Sequence, residues 1–282
     1  MKKYQLSLVA VAVVILLSLF FFGKTHLPSI NQPSTEEMTG NGHHAAQTTE
    51  LLSASKSRLS NSQQQYLQNI ENQLNKGVPP QEKIHLLHQL SRFWADSADN
   101  FLLYAFYNGE AAKLENSEKS LTFAARQFLN EMLNAQEASE RQHWLAENAK
   151  DLFDKALIIN PKNDSNRIGR GACFIFGELS DNPMEGILSI KEIADRNPDN
   201  LYAQMMLALG GRKSRQYDKA IERLLIIVQK EPENMEAIFQ LAECYELNGN
   251  QQEAVKWYED LKRQIKIPAI RDDLDKRIRQ LK

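Results

Sequence analysis

The sequence predicts an all-α chain in which helical hairpins stack into a solenoid, behind one transmembrane helix and a flexible linker. Three observations carry that prediction: little glycine and proline, an uncharged apolar run near the N-terminus, and self-similarity at a fixed spacing in the C-terminal half. The 12 Gly and 9 Pro leave few tight turns, which favours long helices over a sandwich or barrel. With 42% hydrophobic and 25% charged residues, the composition suits an ordinary folded body. The net charge of −2 gives no pull on a polyanion, which excludes nucleic acid as a partner class. Cys173 and Cys244 are too few for a disulfide framework, and both read as small residues buried within helical patterns.

The apolar run is LSLVAVAVVILLSLFFF, Leu6 to Phe22, without a charge. At about 1.5 Å per residue it reaches roughly 26 Å, just enough to cross a hydrocarbon core as a helix. A cleaved signal peptide needs small residues before the cut. Here bulky Phe21 stands in that place, and no cysteine follows for lipidation. An uncleaved anchor over residues 1–23 is therefore expected. Lys2 and Lys3 precede the span, and only Lys24 follows closely before Glu36 and Glu37. By the positive-inside rule the N-terminus stays in the cytoplasm and the body lies outside, in the periplasm of a bacterium. Residues 6–22 thus take the lipid bilayer as a partner.

Residues 24–53 are polar, without apolar periodicity, and read as a disordered linker spanning roughly 30 Å root-mean-square. Helical spacing begins at about residue 54. Leu67, Ile70 and Leu74 form one stripe, and Leu86, Leu90, Phe93 and Trp94 another. Val78-Pro79-Pro80 ends one helix and starts the next, and Asp96 to Asn100 reads as a turn. Leu103, Phe106, Tyr107 and Leu114 mark a helix. Phe123, Phe128 and Met132 mark the next, and Trp144 to Ile159 one more. These divide into N-terminal helices with degenerate repeats over 54–129, regular repeats over 130–266, and a capping helix over 267–282.

Self-similarity is plainest in the last two repeats. Pro198 and Pro232 are 34 residues apart, as are Leu207 and Leu241, Ala208 and Ala242, and Ala220 and Ala254. A second pattern reaches further back. Ala149, Gly186 and Ala220 each precede a proline by twelve positions and a bulky residue (Phe153, Ile190, Leu224) follows each after four; Ala254 and Tyr258 continue the series. Small residues on the first helix (Gly171, Ala208, Ala242) and the second (Ala149, Gly186, Ala220, Ala254) let paired helices approach, and the bulky residue fills the space between units. The proline ends the second helix. Stacked units bury an apolar face that one unit alone cannot.

Units of this length and pattern resemble the tetratricopeptide repeat family, strongly over 130–265 and more weakly over 80–130. The resemblance implies a right-handed superhelix, an inner surface lined by the first helix of each pair, and protein–protein binding. The chain departs from the family in three ways. Pro161 and Pro198 are 37 apart, with the extra residues placed around Ser180-Asp181-Asn182-Pro183. Gln204 and Ile238 replace the usual large aromatic, and the helices between Asn116 and Asn160 are long.

Catalytic grammar is absent: there is no phosphate-binding glycine loop and no nucleophile elbow. His43-His44 and the pair His85 and His88 lack further ligands. The chain reads as a non-enzyme without cofactor or metal. The family geometry places Ile168, Ala172, Ile175, Phe176, Tyr202, Met205, Leu209, Arg212, Glu236, Phe239, Glu243 and Glu246 on the inner surface. They make an apolar floor with a basic and an acidic edge, suited to a protein or peptide partner. Family members that grip chaperone tails use inner-face Lys and Asn. The floor here carries Met205, Leu209, Phe239 and Glu243 instead, which implies a different partner. A membrane-anchored scaffold is the expected role. A holder of unfolded or secreted clients, or a regulatory subunit of an envelope enzyme complex, are the alternatives. Residues 261–282 carry 8 Lys/Arg against 3 Asp, and Ile270, Leu274, Ile278 and Leu281 make this segment an amphipathic cap.

Overall fold

Most of the apolar positions named above close onto one another as paired helices in the computed structural model, which describes residues 48–134, 140–179 and 183–282. The anchor at residues 6–22, the His43-His44 pair and most of the linker lie outside the described residues. Among the described residues no helix is long and apolar enough to cross a membrane.

The first helical stretch, residues 48–56, corrects the C-terminal bound of the linker. Leu51 and Leu52 pack against the cores, and the Trp144 indole N–H donates to Thr48 Oγ1 at 2.9 Å. Two leucines and that bond tie down a segment whose composition otherwise reads as linker. Helix α1 (Asn61–Leu74) opens on a capping box, with Ser60 and Gln63 each satisfying the other's backbone N–H. Helix α2 (Pro80–Arg92) starts at the second proline of Val78-Pro79-Pro80 and runs into a π-helical turn, Phe93–Ser97. Helix α3 (Phe101–Glu115) follows, capped by Asn100. These elements share a first core around Leu67, Leu90, Trp94 and Leu103.

The second core is continuous through the remaining helices. They are α4 (Glu118–Asn134), α5 (Glu140–Ile159), α6 (Asp164–Phe176), α7 (Met184–Arg196), α8 (Leu201–Lys213), α9 (Tyr217–Lys230), α10 (Met235–Leu247), α11 (Gln251–Gln264) and α12 (Pro268–Leu281). They pair as hairpins α4–α5, α6–α7, α8–α9 and α10–α11, and α12 packs on α11. The first helices of successive hairpins also touch: α4 with α6, α6 with α8, α8 with α10. The expected division at residue 129/130 falls inside α4, because that helix pairs along its length with α5. The expected length of the helices between Asn116 and Asn160 is met: α4 has 17 residues and α5 has 20, against 13 and 14 in α8 and α9.

The notches are where the spacing puts them. Ala149, Ala208, Ala220, Ala242 and Ala254 have no exposed surface. A Cβ on Gly186 would stand 2.2 Å from the Gly171 carbonyl oxygen, so the two glycines face each other. The bulky residues Phe153, Ile190, Leu224 and Tyr258 are buried. The ring of Phe153 fills the space over Gly169, where a Cβ would lie 2.3 Å from the ring.

A recurring cap escaped the sequence reading. Asn163, Asn200 and Asn234 stand two residues after the three repeat prolines. Their side chains accept from the backbone N–H of Asn166, Ala203 and Ala237 at 3.1, 3.1 and 3.0 Å. Each satisfies a donor that a helix N-terminus leaves free.

Candidate protein-interaction surface

Because the first helices touch hairpin to hairpin, their free faces make one continuous surface across α4, α6, α8 and α10. The residues expected there divide by exposure. On α6, Ile168 and Ala172 have no exposed surface, and Ile175 and Phe176 are buried as well. Met205 on α8 is also buried. These five are corrections to the expected groove: they belong to the continuous core with side chains of the neighbouring helices. The floor beneath α6 is packing, not accessible surface. Tyr202, Leu209 and Arg212 on α8, with Phe239, Glu243 and Glu246 on α10, are half-buried, and Glu236 is exposed. They leave an apolar strip of Tyr202, Leu209 and Phe239 within reach of a partner.

The charged edges of that strip are not free. Arg212 Nη1 lies 2.5 Å from Glu243 Oε2. Arg277, from α12, reaches Glu243 Oε1 at 3.2 Å and Glu246 Oε2 at 2.8 Å. The Tyr258 hydroxyl also donates to Glu246 Oε2, at 2.9 Å, and the Arg277 guanidinium lies 5.1 Å from the Tyr258 ring centre. Glu243 and Glu246 are therefore neutralised from within, whereas Glu236 stays exposed, and α12 closes the α10 end of the surface. Leu274 and Ile278 hold α12 in place by burial, as the amphipathic spacing predicts, whereas Ile270 is exposed.

At the other end, α4 contributes side chains that sequence reasoning missed. Phe123, expected only as a mark of this helix, is 58% exposed. The buried set of α4 is Leu121, Ala124, Ala125, Phe128, Leu129 and Met132. That set is a regular helical stripe, and Phe123 lies off it; its phase was a readable signal. Arg126 shares the exposed face, and its guanidinium lies 5.7 Å from the Tyr202 ring centre on α8. Burial first of all pushes the Tyr202 hydroxyl up to about 12, against a lowering by Arg126. The first turn of α4 is fastened to the cap of α6. Glu118 accepts from the side-chain amides of Asn160, Asn163 and Asn166, and Thr122 Oγ1 donates to Asn166 Oδ1 at 2.9 Å.

No catalytic constellation accompanies this surface among the described residues. His88 pairs with Glu115 at 2.8 Å and His85 with Gln89 at 2.8 Å, and no group of three His, Cys, Asp or Glu is placed to hold a metal. Cys173 and Cys244 are buried as free thiols. Burial pushes both thiols up, Cys244 to about 11, so neither is a ready nucleophile.

The family model described as tetratricopeptide repeat matches residues 206–266, which is α8 from Met206 through α11. Among curated proteins none matches the chain. Of solved structures, the crystal structure of PilW, a widely conserved type IV pilus biogenesis factor, is 18% identical. It covers 70% of this chain and 85% of its own, with a TM-score of 0.50. A MamA fragment from Desulfovibrio magneticus RS-1 is 17% identical over 64% of this chain and 94% of its own, with a TM-score of 0.44. YrrB, a tetratricopeptide repeat protein with an unusual peptide-binding site, is 12% identical over 73% and 97%, with a TM-score of 0.42. The likeness to PilW is one of fold. Together with the family match over 206–266, it supports an all-α, tetratricopeptide-like stack of helical hairpins as the fold of the described body.

Proposed function

We propose that the body is a protein-interaction scaffold that takes a segment of a partner along the free faces of α4, α8 and α10. Residues 6–22 tether it to the cytoplasmic membrane with the body on the outer side. What carries the reading is the strip formed by Tyr202, Leu209 and Phe239. These apolar side chains stay partly exposed beside a core that buries Ile168, Ala172 and Met205 outright. Aromatic side chains anchored in a packed surface gain the most on excluding water at an interface. The neutralised charges at the α10 end favour an apolar anchor there over a basic one. The anchor rests on the uncharged run of residues 6–22 and its basic flank.

One experiment tests both halves. The tagged full chain is recovered from carbonate-washed membranes, which retain spanning proteins, after in-cell crosslinking. Tyr202→Ala and Phe239→Ala should each lower recovery of the crosslinked partner about tenfold or more, the loss expected for an interface anchor, at unchanged helix content. Equal recovery from the variants would remove this surface from consideration. Release of the chain into the wash would remove the anchor.

A further inference from the structure

The exposed face of α4 carries Lys119, Phe123, Arg126 and Asn130, spaced four, three and four residues apart on one stripe. Arg126 is held in a defined pose. Its guanidinium lies over Tyr202, 5.7 Å from the ring centre, and Nη2 donates to Ser165 Oγ at 2.5 Å. A guanidinium has five N–H donors in a rigid fork, so this pose leaves most of the fork free. Among the described residues no carboxylate lies within ion-pairing distance of Arg126 or Lys119, whereas the other arginines of the first helices are matched. Arg167 pairs with Glu192, Arg170 with Asp154, and Arg212 with Glu243. The neighbouring carboxylate of Glu118 is engaged by three asparagine amides. Beside Arg126 lies an open concavity of about 670 Å³ whose wall includes Lys119, Thr122, Phe123 and Asn163, together with Glu118, engaged as above, and Glu115, which pairs with His88.

We propose that this corner of α4 is the subsite for an acidic side chain of a peptide partner, with Phe123 receiving an apolar or aromatic neighbour of that side chain. The inference rests on the peptide-binding reading above and names the chemistry of one end of the bound segment. A planar fork matches the two oxygens of a carboxylate, and the contacts with Tyr202 and Ser165 hold the side chain in advance, so less is lost in ordering it. Lys119, two turns earlier on the same stripe, adds a second positive charge without a second fork. Two cations beside carboxylates that already have partners of their own, on a chain of net charge −2, suit one or two carboxylates better than a polyanion. With Glu243 and Glu246 at the far end neutralised by Arg212 and Arg277, the surface acquires a direction: the acidic residue of the partner at α4 and an apolar one at Phe239.

The test selects short peptides from a displayed random library on the immobilised full chain. Selected peptides should be rich in Asp or Glu next to an aromatic or branched apolar residue. In solution, changing that acid to its amide should weaken binding about tenfold, the worth of one charge-assisted bond. The difference should shrink as salt is raised. Arg126→Gln should make acid and amide peptides bind equally, and Arg126→Lys should restore part of the difference. Selected peptides without acidic residues, an acid preference that survives Arg126→Gln, or no selected peptide at all would overturn the proposal. So would selection of phosphorylated over acidic peptides, or self-association of the chain that Arg126→Gln abolishes. Recovery of the native partner separates the two readings. A partner lost with Phe239→Ala but kept by Arg126→Gln leaves the binding surface and removes the acidic subsite. A partner kept by both variants removes both.

Discussion

Hairpins α6–α7 and α8–α9 obey one spacing rule but bring their helices together to different depths. In the first, Gly171 and Gly186 meet so closely that a Cβ on Gly186 would stand 2.2 Å from a backbone oxygen. In the second, Ala208 and Ala220 hold the same places with their methyl groups fully buried. Even a Cβ on the neighbouring Gly211 would find Ala220 Cβ at an ordinary 3.4 Å. The connections differ too: residues 177–183 join α6 to α7, whereas 214–216 join α8 to α9. The size of the residue at the notch therefore sets a floor under the distance between helices. The backbone contact itself decides whether alanine still fits.

The sharpest way to break the comparison is Gly186→Ala. A methyl group there meets a carbonyl that cannot rotate away, so the helices must separate along a packed seam. We expect a loss of about 3 kcal/mol in urea unfolding of the full chain, at the upper end for overpacking. Ala220→Gly, the reverse change in the neighbouring hairpin, should cost only about 1 kcal/mol, the helix propensity of glycine. Equal effects would show that the two hairpins are packed alike.

The capping asparagines extend the comparison to the boundary between the long-helix region and the regular repeats. Asn200 caps α8 through its side-chain oxygen. Asn163 caps α6 in the same way, and its amide also donates to Glu118 of α4 at 2.5 Å. Asn200→Ala should cost about 1 kcal/mol, the usual worth of a cap. Asn163→Ala should cost about 2 kcal/mol, since a bond to a charged group is lost as well. The same unfolding measurement separates the two. If Asn163→Ala and Asn200→Ala proved equal, Glu118 would contribute nothing to joining the two regions.

These contrasts also mark how far the sequence could be read. The periodic features were legible because they are local or repeat at a fixed spacing: the small-residue notches, the bulky residues four positions on, the prolines between units, the amphipathic cap. The inner-surface residues were legible only as positions on a helix. Spacing placed Ile168 and Ala172 on the inward stripe, but did not show that the continuous core would cover them completely. Nor did it show that Arg277, 31 positions past Glu246, would reach back to neutralise that carboxylate. Apolar character alone marked Phe123 as part of a helix, whereas the phase of Leu121, Ala125 and Phe128 sets it outside the buried stripe. The helical stretch at 48–56 was invisible in composition, since what holds it is contact with residues such as Trp144, far along the chain.

The smallest expected effect distinguishes the two tyrosines of the surface and its closing end. Tyr202 is half-buried and open to a partner; Tyr258 has no exposed surface and bonds to Glu246. Burial first, and then the Glu246 carboxylate, push the Tyr258 hydroxyl well above its ordinary value of 10.0. In the unfolded chain the group returns to that value, so the folded state holds its proton more tightly. The stabilisation is complete below pH 10.0 and is lost as pH rises past the unfolded value, because only the unfolded chain then gains by ionising. The slope is about 1.4 kcal/mol per pH unit for one proton. Tyr258→Phe removes this proton along with the bond to Glu246. It should be less stable than the natural chain at pH 9 and close much of that gap by pH 11, when unfolding of both is followed in urea. A gap independent of pH would place Tyr258 in contact with water and leave Arg277 and Glu246 to close the end of the surface without it.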